Sequence, residues 1–115
     1  MPGFEHLEVW QRSVDLSAEI YLVTDGIHDQ GYREQITRVG LSVPSNIAEG
    51  MERQTVADKI KFLDYARGSV EELRTQAIVG AKAGLLSRET SGRLVEESRQ
   101  ISGMIQGLIR SLRSI

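Results

Sequence analysis

The chain contains no cysteine, which excludes a disulfide framework and any thiolate metal site and fits a reducing compartment. Aromatic residues are scarce, at 5%, and there are only two prolines. Few aromatics beside many Leu, Ile, Ala, Glu and Arg argues against a β-sandwich or barrel core and for helices. No apolar run approaches the roughly 18 residues of a membrane span, and Met1-Pro2-Gly3-Phe4-Glu5-His6 has neither a basic n-region nor an apolar h-region. A cytoplasmic protein with no membrane partner is the expectation. Charge of one sign is missing too: the net charge is −2 and the pI about 5.7. That balance argues against a surface that is a phosphate-binding field throughout, and leaves room for a local basic patch.

Catalytic signatures are also lacking. There is no Gly-x-Ser-x-Gly elbow, P-loop, His-Glu-x-x-His or cysteine nucleophile. Asp25-x-x-His28 has a ligand-like spacing but does not recur, and beside Gly26 it reads as a solvated turn. Glu71 and Glu72 are adjacent and point about 100° apart on a helix, so their spacing does not make them a catalytic pair. No catalytic, cofactor-binding or metal-binding residue and no small-molecule substrate is expected.

What the chain does contain is 115 residues at 40% hydrophobic and 26% charged, enough for one folded domain over residues 1–115. A first helix is expected from Leu7 to about Thr24, with Gly26 as its stop. Leu7, Trp10, Val14, Ala18, Tyr21 and Leu22 share one side, the expected core stripe. Val9, Leu16, Ile20 and Val23 share nearly the opposite side. A helix with two apolar faces needs two partners, and this second face is assigned to a homo-oligomer interface.

The second helix is expected over Tyr32–Gly50, with Ile36, Val39, Val43 and Ile47 inward and a kink at Pro44. Proline cannot donate to the carbonyl four residues back, that of Gly40. Gly40 removes bulk at the bend, while Ser42 and Ser45 offer hydroxyls to the freed carbonyls. Thr55 then caps a third helix, with Asp58 completing a capping-box-like signal. Its seam is Val56, Leu63, Val70 and Ala77, interleaved with Ile60, Ala66, Leu73 and Ala81, and Gly84 ends it. Ser87 caps a fourth helix carrying Leu94, Ile101, Leu108 and Ile115 with Met104, Ile105 and Leu112. Turns this short make consecutive helices antiparallel, giving an all-α, up-down-up-down four-helix bundle with a proline-kinked second helix.

Particular runs carry a resemblance: Phe4-x-x-Leu7-x-Val9-Trp10, Gln35-Ile36-x-Arg38, Ser42-x-Pro44-Ser45-Asn46-Ile47-Ala48-Glu49-Gly50-x-x-Arg53, and Phe62-Leu63-x-x-Ala66-x-Gly68-Ser69-x-x-Glu72-Leu73. Together they resemble the bacterial four helix bundle protein family, also called the 23S rRNA intervening-sequence protein family. The resemblance implies an antiparallel bundle assembled into a ring-like homopentamer. It is similar, more distantly, to the accessory proteins of diversity-generating retroelements, pentamers that bind nucleic acid and a reverse transcriptase. Those resemble basic proteins, whereas this chain is slightly acidic.

Within the motif, Pro44, Ser45, Asn46, Glu49, Gly50 and Arg53 are read as structural. Ser45 and Asn46 satisfy backbone groups at the bend, Gly50 takes a left-handed conformation ending the helix, and Arg53 pairs with an acid such as Glu49 or Glu72. Gly68 and Ser69 are read as the groove into which the second helix packs, because an interior helix glycine costs roughly 1 kcal/mol against alanine. For RNA or DNA the best local feature is the end of the fourth helix. Arg99, Arg110 and Arg113 stand there with no acid after Glu97, and a cyclic oligomer would repeat them. The leading expectation is a non-enzymatic, self-assembling scaffold or partner-binding module; the runner-up is an RNA- or DNA-binding assembly protein.

Overall fold

In the computed structural model, residues 3–114 are described. A single 3-10 turn at Phe4–His6 leads into four helices: α1 (Glu8–Val23), α2 (Gln30–Met51), α3 (Val56–Lys82) and α4 (Arg88–Arg113). Each of the three long helices begins on a side chain that accepts from the N–H three residues on: Asp29 from Tyr32 (3.0 Å), Thr55 from Asp58 (3.1 Å) and Ser87 from Thr90 (3.0 Å). These bonds satisfy N–H groups that no helical turn can reach. The α3–α4 turn closes at Gly84, whose φ of 77° lies in the left-handed region glycine tolerates. There the N–H groups of Leu85 and Leu86 both reach the Gly80 carbonyl, at 2.8 and 3.1 Å.

Successive helices pack side by side and α4 returns to α1, while among the described residues the backbones of diagonal helices stay apart across the shared core. The bundle measures 46 × 20 × 20 Å, so its cross-section is square. Ile36, Val43, Ile47, Leu63, Val70, Leu73, Leu94, Ile101 and Ile105 fill the centre. Among the described residues no helix is long and apolar enough to cross a membrane.

The first helix is turned over relative to the sequence expectation. Val9, Leu16 and Ile20 are buried in the chain's own core and Val23 packs against it, so these four are not an oligomer surface. The reason lies in their neighbours. Ser13 and Ser17 on the same face are buried, and being small they let α1 approach α2 at Gly40. A Cβ on Gly40 would lie 2.8 Å from Ile20 Cδ1 and 3.9 Å from the Ser17 Cα. Gly40 therefore serves the α1–α2 contact. Of the stripe expected inside, Leu7 and Trp10 do pack against the core, but the rest looks outward: Val14 is half-buried, Ala18 and Tyr21 are exposed, and Leu22 is 76% exposed.

Candidate functional site

The Ser42–Arg53 segment runs along α2 and its exit towards α3. Pro44 is buried inside α2, which continues through it to Met51. The Ser42 hydroxyl donates to the Val39 carbonyl (2.6 Å) and not to that of Gly40, and the Asn46 amide donates to the Ser42 carbonyl (2.9 Å). Ser45 faces solvent. Arg53 pairs with Glu49 at 2.9 Å and lies 4.5 Å over the Phe62 ring. Lys59 Nζ donates to the Met51 carbonyl at 2.9 Å, which ties the end of α2 to the start of α3.

Two glycines of the motif do the reverse of what was expected. Gly50 is helical, not left-handed, and is buried where α2 meets α3. A Cβ there would sit 3.0 Å from Phe62 Cβ and 3.1 Å from the Lys59 carbonyl oxygen. Gly68 is exposed with nothing within 4 Å of a Cβ, so Gly68-Ser69 is no groove for α2. Close helix approach occurs at Gly50, and also at Gly80, where the Tyr32 ring lies against α3. The Tyr32 hydroxyl donates to the Gln76 carbonyl at 2.7 Å, and burial pushes its pKa up to about 12.

The bundle offers four outer faces. Trp10, Val14, Tyr21 and Leu41 lie along α1/α2, where Tyr21, Glu34, Thr37, Arg38 and Leu41 line one groove. On the α2/α3 side, Phe62 and Tyr65 stack edge-on at 5.5 Å. Gly68, Glu72 and Val79 follow Tyr65 in register along α3, at offsets of three, seven and fourteen residues. Tyr65 and Val79 are about half exposed, at 52% and 51%.

The α4/α1 face is acidic and laced by cross-helix pairs. Arg12 reaches Glu97 with two bonds, at 2.9 and 2.6 Å, and Arg93 reaches Glu19 at 2.6 Å. The Glu97 hydrogen bond holds the Arg12 proton more tightly than usual, against a smaller opposing effect of burial. Asp15 and Glu96 line the same groove.

Arg99, Arg110 and Arg113 are exposed on α4, and helical spacing sets them on its α3 side in line with Arg88. Ser91 bonding the Ala77 carbonyl (2.8 Å) and Ser102 lying 3.4 Å from the Glu71 carboxylate fix the α3–α4 register. That register brings Arg67 and Arg74 of α3 and Lys82 onto the same face. Sequence reasoning missed these last four cations, Arg88 among them; the four-residue and seven-residue steps linking Arg67, Arg74 and Ile78 were the available signal.

A family model described as 23S rRNA-intervening sequence protein matches residues 5–107. The chain belongs to that family. Among solved structures, one of a protein of unknown function from the S23 ribosomal protein family of Bacteroides thetaiotaomicron VPI-5482 superposes with a TM-score of 0.81 at 23% identity. The alignment covers 88% of this chain and 97% of that one. At that identity the likeness establishes the fold alone. No curated protein matches the chain.

Proposed function

We propose that the chain has no chemistry of its own and acts as a scaffold that assembles with copies of itself into a small ring, a pentamer. The carrying observation is that apolar side chains lie unpartnered on two adjoining, unlike faces: Tyr21 and Leu41 on α1/α2, Tyr65 and Val79 on α2/α3. Contact between unlike faces is head-to-tail, and it closes when the rotation allows. In a ring, the two contact faces of a subunit point about 90° apart for four members and about 108° apart for five. Adjoining faces of a square bundle lie near these angles, and the family resemblance selects five over four; opposite faces would build a filament. Charge favours the same pairing, since Arg38 on the first face and Glu72 on the second make no ion pair among the described residues. Pairing of this kind selects register more than it adds affinity.

Light scattering at micromolar concentration is expected to give about five times the 12.8 kDa subunit mass. Leu41→Glu and Tyr65→Glu, each spoiling one face, should each give monomers. Mixed together, they should give one-to-one dimers, because each retains the face the other needs. A monomeric parent chain, or variants that keep its assembled mass, would refute the reading.

A further inference from the structure

We propose that the outer face of α3 and α4 is a docking surface for the phosphate backbone of a nucleic-acid duplex. Seven of the chain's 14 Lys and Arg residues lie on this face: Arg67, Arg74, Lys82, Arg88, Arg99, Arg110 and Arg113. Only three of its 16 acids accompany them, Asp64, Glu71 and, on the edge shared with the α4/α1 groove, Glu96, and each is paired to one of those arginines. The face therefore carries +4 while the rest of the molecule carries −6, which together give the chain's −2. Lys82, Arg88, Arg110 and Arg113 make no ion pair among the described residues.

The arrangement of these charges selects the ligand. Arg88 and Arg113 are separated by 25 residues of one helix, a rise of about 38 Å. The positive charge is thus strung along the length of the bundle and not gathered round a pocket, which matches a stiff, linear polyanion. Lys82 and Arg88 flank a groove of about 610 Å³ at one end of the row, floored by Ile78, Ala81 and Ser91. The side chains that could stack on splayed bases, Trp10, Tyr21, Phe62 and Tyr65, belong to the other faces. Phosphate contact without base stacking or base readout favours a duplex over a single strand, with little sequence preference. The neighbouring α4/α1 face, with Asp15, Glu19 and Glu97 against Arg12 and Arg93, repels phosphate and leaves one orientation favoured. The surface exists in one subunit and does not require the ring; the apolar faces used for assembly leave it free.

A fluorescent 24-base-pair RNA duplex of arbitrary sequence, followed by anisotropy between 50 and 200 mM KCl, tests this. Four phosphate contacts give a log–log salt slope of about −3.6, hence binding roughly 150-fold weaker at the upper salt concentration. Changing Lys82, Arg88, Arg110 and Arg113 together to Gln is expected to abolish most of the affinity and flatten the slope to less than about 1 in magnitude. Its melting temperature and assembled mass should stay those of the parent, which separates lost contacts from lost folding. An Arg33→Gln, Arg53→Gln variant, with cations removed elsewhere, should keep the slope. Absent binding at 50 mM salt, or the fourfold variant binding like the parent, would overturn the proposal. So would stronger binding to phosphatidylserine vesicles or polyglutamate at matched charge, which would reassign the face to a membrane or an acidic protein. A monomer that binds with the full slope would sink the ring and leave this surface standing.

Discussion

Gly50→Ala is the substitution that most directly tests how α2 is seated on α3. The new methyl would lie 3.0 Å from Phe62 Cβ, 3.1 Å from the Lys59 carbonyl oxygen and 3.6 Å from the Leu63 nitrogen. Favourable carbon contacts are about 3.5–4.0 Å, so the shortfall is several tenths of an ångström. The obstructing atoms are backbone or directly attached to it, and no rotamer change relieves them. The ends of α2 and α3 must separate, a cost typical of overpacking at about 1–3 kcal/mol. Set against this is the roughly 1 kcal/mol that alanine gains over glycine inside a helix.

A control removes that second contribution. Gly103 sits in the interior of α4, exposed, with nothing within 4 Å of a Cβ, so Gly103→Ala collects the propensity gain alone. The difference between the two variants then isolates the contact, and it is expected to be about 1–3 kcal/mol against Gly50→Ala. Urea unfolding followed by helical circular dichroism measures both, at one fixed subunit concentration because assembly would add to apparent stability. If Gly50→Ala were as stable as Gly103→Ala, the close approach at this corner would not be real.

Two further outcomes concern polar contacts between helices. Tyr32→Phe removes the bond to the Gln76 carbonyl and should cost about 1 kcal/mol. With the folded pKa raised from 10.0 to about 12, the parent's Tyr32 contribution is complete below pH 10 and is lost as pH rises towards 12; urea midpoints across that window should fall in the parent and less in Tyr32→Phe. In a double-mutant cycle, Arg12→Met and Glu97→Gln should couple by about 1 kcal/mol, since the pair is bidentate but part-exposed. Purely additive losses would mean that the pair does not clamp α1 to α4.

The helix count, the caps at Thr55 and Ser87 and most of the seams of α3 and α4 were legible because they depend on periodicity and on groups three residues apart; Val56, expected at the head of the α3 seam, is exposed, and Ile115 lies outside the described residues. The orientation of α1 was not. Both its faces are apolar, and hydrophobicity alone favoured the larger set with Trp10 and Tyr21. The usable signal was the small residues: Ser13 and Ser17 mark the side where another helix comes close, and Gly40 is what it meets. The glycines carry the same lesson. Helix propensity says only that an interior glycine is costly, which is equally true at Gly50, where a neighbour requires it, and at Gly68, where nothing among the described residues does. Gly68 lies instead on the face assigned to the next copy, beside Tyr65, Glu72 and Val79.

Net charge is a coarse guide for a different reason. A value of −2 describes the molecule at distances where its faces are not resolved. The bundle is 20 Å across, whereas charges in physiological salt are screened over about 8 Å. A polyanion placed along α3 and α4 would therefore respond chiefly to the cations beneath it, with Asp15 and Glu19 felt at the edge towards α1 and Glu34, on a more distant face, scarcely at all. Near 10 mM salt the screening length grows to about 30 Å, and the whole-chain charge regains its meaning there. For a bundle of this width, composition predicts behaviour in dilute buffer, while the distribution of charge among its four faces governs what binds at the ionic strength of a cell.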